Sequence, residues 1–471
     1  MEKEIQQQAV VPGSTLPVGF VPTPTREYRE HRKTLRITLG PGLPATPIPI
    51  PNPALPGSRV LIWKQDPSVR EIGVRKAYLP GHILPGPRDA RITVQGLPPV
   101  SPNVSGDLIE AVGTDAFDAI HTFAVVRSTL TMFQRALQGA PTPWQWNSLA
   151  NMDPLNLFPH AAGVSMNAFY SRNQKALKFG FFDKPSAPTG TKVFTCRSLD
   201  IVAHETGHAV LDGLKPNWLL TGNPPQTGGL HESFGDLTAI FLALSQIDQV
   251  EAIIAQTKTN LHDKTFIADL AEEFGLALGR PNGLRNADND LKLSQVGTQV
   301  HDLSQVFTGG VYDALADIFA FEQKPAQKDD AAVLYETGQY LCGLLLRAII
   351  RAPNIGATYA DVVNQMLQVL SEDNKPVQYR NFLRNRFVIR EVFTSTLNLQ
   401  QDLAEGVTLA AGKQDASGAV QSRRACCGTM QLYEYNGAEA ALQADLAELK
   451  KVLAENGSGS SLTKTAVKGK R

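Results

Sequence analysis

The densest chemistry in the chain lies in Asp200-Ile201-Val202-Ala203-His204-Glu205-Thr206-Gly207-His208-Ala209-Val210. Two histidines four residues apart fall on one face of a helix, about one turn from each other, so both imidazoles can reach a single metal ion, Zn²⁺ by donor type. Glu205 follows the first histidine and can reach a water on that ion without displacing it, which is the position of a general base. The plain alternative is a buried helix with two satisfied histidines. Two imidazoles leave a catalytic zinc site short of a ligand, because such a site uses three protein ligands and one open position. Glu232, 24 residues after His208 in the segment Gly228 to Ile240, can supply the third. Asp236 is four residues further on, hence on the same helical face. It can accept a hydrogen bond from the far nitrogen of a ligand histidine and fix its tautomer. Taken alone, Glu232 and Asp236 would be no more than acids near a helix N-terminus.

With HExxH at His204–His208 and ExxxD at Glu232–Asp236, the chain resembles the thermolysin-like gluzincin metallopeptidases. Asn167-Ala168-Phe169-Tyr170 stands where that family has an Asn-Ala-Phe-aromatic edge strand. The resemblance implies that these four residues hold an extended peptide by strand addition. His301, in Val300-His301-Asp302-Leu303, opens a helix-like segment and matches the family's histidine that donates to the oxyanion. Leu284-Arg285-Asn286-Ala287-Asp288 resembles the stretch with the arginine for the substrate carbonyl; Arg285 is the candidate and Arg280 the rival. His231, where the family usually has asparagine, is expected to make the contact behind a metal ligand. The resemblance covers roughly residues 56–395. It implies a zinc metalloendopeptidase with a single catalytic Zn²⁺ and an α+β fold. A β-rich N-terminal lobe and a mainly α-helical C-terminal lobe would enclose the zinc site in the cleft between them.

Three positions depart from the family pattern. Residues 209–231 contain no tyrosine to help bind the oxyanion; either Trp218 or Asn217 substitutes, or the oxyanion leans on zinc and His301. Loss of one such donor costs about a hundredfold or more in rate. Val296 stands where the family has an aspartate that orients the catalytic histidine, and Ala243 where its first calcium site needs an acid. No structural calcium is therefore expected there. These gaps sustain a rival reading, a catalytically weak or silent zinc-binding module with an interaction or structural role; the intact Glu205 counts against it. A gluzincin of another family is a further rival, separated only by the Asn-Ala-Phe-Tyr strand.

The elements that must carry these residues follow from pattern. Short alternating runs at Val60–Trp63 and Ala90–Val94, broken by Pro and Gly, predict β-hairpins. A long helix spans about Asp115 to Leu137, with Thr114 as N-cap. Residues 150–195 are strand-like, and helices are expected near 198–212, 230–246, 262–278, 302–321, 330–351, 358–371 and 379–391. The organisation expected is a Pro-rich arm over 1–57 with a strand at Thr34–Leu39, a β-rich lobe over 58–212, a helical lobe over 213–398 and a polar tail over 399–471 with a short helix at 437–455.

The bulk properties exclude other classes. Of 471 residues, 42% are hydrophobic and 19% charged, and 45 basic side chains balance 45 acidic ones, so nothing marks an electrostatic nucleic-acid binder. No apolar run is long enough for a membrane span. The polar start, Met1 to Gln8, is not a signal peptide, which leads to an expectation of the cytoplasm. Four cysteines are too few for a disulfide scaffold; Cys196 and Cys342 read as buried thiols, and Cys426-Cys427 as ordinary thiols or a metal-binding or oxidisable pair. The partner expected is a peptide or protein substrate, and the sequence sets no oligomeric state.

Overall fold

Alternating side chains in β1 (Ser58–Trp63) turn Val60 and Ile62 inward, where both are buried. β1 pairs antiparallel with β2 (Val74–Leu79), Ser58 opposite Leu79 and Trp63 opposite Val74, as a hairpin should. The second expected hairpin does not form. β3 (Ile92–Val94) instead pairs in parallel with β4 (Leu155–Phe158), and the long helix α1 (Asp115–Ala136) crosses between them. Parallel neighbours need such a crossover, and α1 packs on β3 and buries it. Thr114 caps α1, its side chain accepting from the Phe117 N–H. β6 (Ala176–Phe179) extends the sheet in parallel beside β4, and β5 (Ala168–Ser171) joins it antiparallel, giving the order β3-β4-β6-β5 with β5 at an edge. β7 (Phe181–Asp183) and β8 (Lys192–Phe194) form a separate pair.

This computed structural model describes residues 57–393, apart from 162, 163, 165, 185, 186 and 278–282, and all of them belong to one compact unit. The Pro-rich arm, its strand at 34–39, the tail with its helix at 437–455, Cys426-Cys427 and Arg280 lie outside the described residues.

Helices dominate from residue 199 onward. α2 (Leu199–Leu214) is capped by Ser198. α3 (Pro225–Leu244) begins five residues before the expected start, with Pro225 in its first turn. Gly228-Gly229 does not break it, because the close packing of α3 uses the missing side chain. A Cβ on Gly229 would lie 2.1 Å from the Tyr359 hydroxyl. Nearly all of α3 is buried, against α2 on one side and α6 (Val300–Glu322) on another. Between them, α4 (Ile247–Thr257) was not expected.

The expected helix at 262–278 is overturned. Turns lead into β9 (Asp269–Leu270) and a short α5 (Glu272–Ala277), and β9 pairs antiparallel with β10 (Arg285–Asn286). Phe266, Ile267, Ala268 and Leu270 are all buried, which leaves no solvent face for an amphipathic helix. α7 (Asp330–Arg351), α8 (Tyr359–Glu372) and α9 (Val377–Ile389) complete the helical part close to their expected limits. The fold class is α+β, with sheets in the N-terminal part and helices in the C-terminal part. Among the described residues no single helix is long and apolar enough to cross a membrane.

Candidate metal centre

α2 and α3 cross closely enough to bring three potential ligands to one point. Small residues allow the approach: a Cβ on Gly235 would lie 2.6 Å from the His204 ring. His204 and His208 project from one face of α2 and Glu232 from α3. Their ligand atoms all lie within 4.8 Å of one another. The Nε2 atoms of His204 and His208 stand 3.5 and 3.6 Å from the two carboxylate oxygens of Glu232. The two imidazoles meet edge to face, their planes at 88°. All three side chains are buried, Glu232 and His208 completely.

Each ligand is braced from behind. His204 Nδ1 donates to Asp236 Oδ1 at 3.0 Å, which leaves Nε2 as the atom turned to the ligand point. That Nε2 is buried with no hydrogen-bond partner among the described residues. A buried unpartnered imidazole nitrogen is costly unless something coordinates it, so the set fits a metal. Two imidazoles and a carboxylate are the donors of a catalytic zinc centre, although they do not by themselves exclude other transition ions. His208 Nδ1 lies 2.8 Å from His231 Nδ1, an imidazole–imidazole hydrogen bond. His301 Nδ1 donates to Glu232 Oε2 at 3.0 Å. Glu232 therefore holds the His301 ring, a contact for which Val296, part of the surrounding apolar packing, has no polar group.

The protonation states follow from these contacts. Burial opposes charge on His204, yet the Asp236 and Glu232 carboxylates outweigh it and raise the pKa to about 10. Burial drives His208 well below its ordinary value and takes His231 down to about 3. For Glu232 burial acts upward, but His301, His208 and His204 around its carboxylate hold it well below the usual carboxylate range. Asp236 is also depressed: burial is overcome by Arg285 and His204.

Glu205 is 1% exposed and lines a cleft that is partly open to solvent. The same wall carries Ala168, Asp200, His204, Leu284 and Arg285. Arg285 sits on β10, and its guanidinium donates to both oxygens of Asp236, with Nη2 to Oδ1 at 2.6 Å. It thus continues the chain His204–Asp236–Arg285. The β9–β10 pairing that replaced the expected helix is what brings it there.

The Asn-Ala-Phe-Tyr segment divides. Ala168 faces the cavity, while the Asn167 carbonyl accepts from the Gly180 N–H at 2.9 Å. Phe169 is half-buried. Tyr170 is fully buried and donates its hydroxyl to Asp212 at 2.7 Å, near the end of α2. Arg172 Nε also donates to Asp212, so this side of β5 is tied to α2 and not to the cavity. Trp218 is not an oxyanion donor: it is buried and gives its indole N–H to the Pro353 carbonyl. Asp200 was missed as a cavity residue. Its position one turn before His204 on the same face of α2 was the available signal.

No protein-family model matches the chain, and no curated protein matches it. Among solved structures, the precursor of protealysin, a metalloproteinase from Serratia proteamaculans, aligns at a TM-score of 0.42 and 15% identity, over 63% of this chain and 84% of that one.

Proposed function

We propose that the chain is a thermolysin-like zinc metalloendopeptidase, with His204, His208 and Glu232 holding Zn²⁺ and Glu205 as general base. The observation that carries this reading is the meeting of the three ligands from two crossing helices, with Glu205 on the cavity wall of the same helical turn. Bound Zn²⁺ supplies a Lewis acid that brings the pKa of water towards about 7 and polarises a carbonyl. Glu205 accepts the proton of the attacking water as its oxygen bonds to the scissile carbonyl carbon. It then passes that proton to the amine nitrogen as the C–N bond breaks. His301 donates to the carbonyl oxygen as charge develops there. Its hydrogen bond to Glu232 supports that role by fixing the ring. The backbone of Asn167 and Ala168, at the edge strand, aligns an extended peptide. Arg285 is a cation on the cavity wall suited to a substrate carbonyl, and Asp236 and His231 hold the ligand histidines.

One observation favours the silent zinc module instead: the oxyanion side has no tyrosine in residues 209–231, and Trp218 is committed elsewhere. Cleavage of casein and of a quenched-fluorescence peptide by wild type and Glu205→Gln, with zinc measured on both, separates the readings. The peptidase reading expects equal zinc and a loss of about 10²–10⁴-fold in the variant. Equal zinc with no Glu205-dependent cleavage supports the silent module, and absence of zinc from both overturns both.

A further inference from the structure

A second set of side chains with metal-binding chemistry lies at the root of the zinc helix, away from the cleft. Asp118 on α1, His160 in the turn after β4 and Cys196 in the 3-10 turn Thr195–Arg197 each offer one ligand atom, all within 4.8 Å of one another. Asp118 and Cys196 are completely buried and the His160 side chain is 14% exposed. Three segments distant in sequence thus bring a thiol, an imidazole and a carboxylate together.

Two further features mark the cluster. Arg197 donates to both oxygens of Asp118, each at 2.8 Å, fixing the carboxylate as an outer partner fixes a metal ligand. His160 Nε2 is 2.9 Å from Asp118 Oδ2. His121, one turn after Asp118 on α1, is completely buried beside the Arg197 backbone. Neither of its ring nitrogens has a well-formed hydrogen bond among the described residues. That buried imidazole, whose polar neighbour is the Arg197 backbone, adjoins the other donors.

We propose that Asp118, His160 and Cys196 form a second, structural metal centre for Zn²⁺ or a similar borderline divalent ion. The sulfur donor favours such an ion over Ca²⁺ or Mg²⁺. On binding, Cys196 loses its thiol proton to solvent and His160 presents an unprotonated nitrogen in place of its hydrogen bond to Asp118. The centre clamps the start of α1 and the turn after β4 to the turn that leads into α2. It shares no residue with the cleft, so it stands or falls independently of the peptidase reading.

Co²⁺ substitution tests the assignment on the full chain in a Cys426→Ser/Cys427→Ser background. The cleft ligands contain no sulfur, so a near-ultraviolet thiolate-to-Co²⁺ charge-transfer band reports Cys196. Cys342, the other remaining thiol, belongs to no ligand cluster among the described residues. The expected result is about two equivalents of metal with that band present. Cys196→Ala and His160→Gln should each abolish the band and remove one equivalent. If Cys196→Ala does not fold, His160→Gln, at the partly exposed ligand, decides. A single equivalent without the band overturns the proposal, leaving Asp118, His160 and Arg197 as an ion network beside a packed thiol. A second equivalent that survives His160→Gln overturns it as well.

Discussion

The two sides of the cleft are built differently. On the metal side, His204, His208 and Glu232 stand on two long crossing helices, are at most 5% exposed, and are each hydrogen-bonded from behind. The proposed substrate side rests on slighter elements: the edge strand β5, the two-residue strand β10 and the first turn of α6. It also borrows its anchors from the metal side, His301 from Glu232 and Arg285 from Asp236. A buried polar network holds its geometry only while every member is satisfied. Damage on the metal side should therefore spread across the cleft, whereas damage on the substrate side should stay local.

His301→Ala is the largest test of that asymmetry after Glu205→Gln. It should lower kcat by about 10²–10³-fold, in line with loss of one oxyanion donor. Zinc content should stay at the wild-type level, and loss of zinc in this variant would make His301 a metal-side residue. Asp236→Asn should act on both sides. It weakens zinc binding by about 10–100-fold through the His204 tautomer, and it also strips Arg285 of its counter-ion. Competition with a chelator reads the first effect and the KM of a short peptide the second; a change in KM alone would break the proposed link.

Acid should affect the metal side by proton competition. Without metal, His204 at about 10 carries a proton at pH 7, while His208, held well below its ordinary value, does not. Zinc must displace the His204 proton, so affinity falls by about tenfold per pH unit below the His204 pKa. Calorimetry in buffers of different ionisation enthalpy, on the Cys196→Ala variant to isolate the cleft, should find about one proton released per zinc at pH 7. No release would mean that the carboxylates do not charge His204. The smallest expected effect is Tyr170→Phe. It should cost about 0.5–1.5 kcal/mol in denaturant unfolding and leave KM unchanged, because its hydroxyl serves Asp212 and not the cavity. A raised KM would return Tyr170 to the substrate side.

What could be read from the sequence follows the same division. HExxH and ExxxD are spacings within single helices, and a period of 3.6 residues alone decides which side chains share a face. His204, His208, Glu232 and Asp236 were therefore legible as a set, as were the caps at Thr114 and the limits of α7. Tertiary structure decided everything that depends on pairing between distant segments. Residues 262–278 carry enough apolar side chains for a helix, but burial of 265–271 and pairing with Arg285–Asn286 made Asp269–Leu270 a strand, and a helix forms only over Glu272–Ala277. That pairing, invisible to any local pattern, set Arg285 against Asp236. Tyr170 turned inward because Asp212, 42 residues away, offered a buried acceptor. Glu232 became the anchor of His301 only once α3 and α6 had packed. Local periodicity fixes which residues face one way; only long-range packing fixes what they meet.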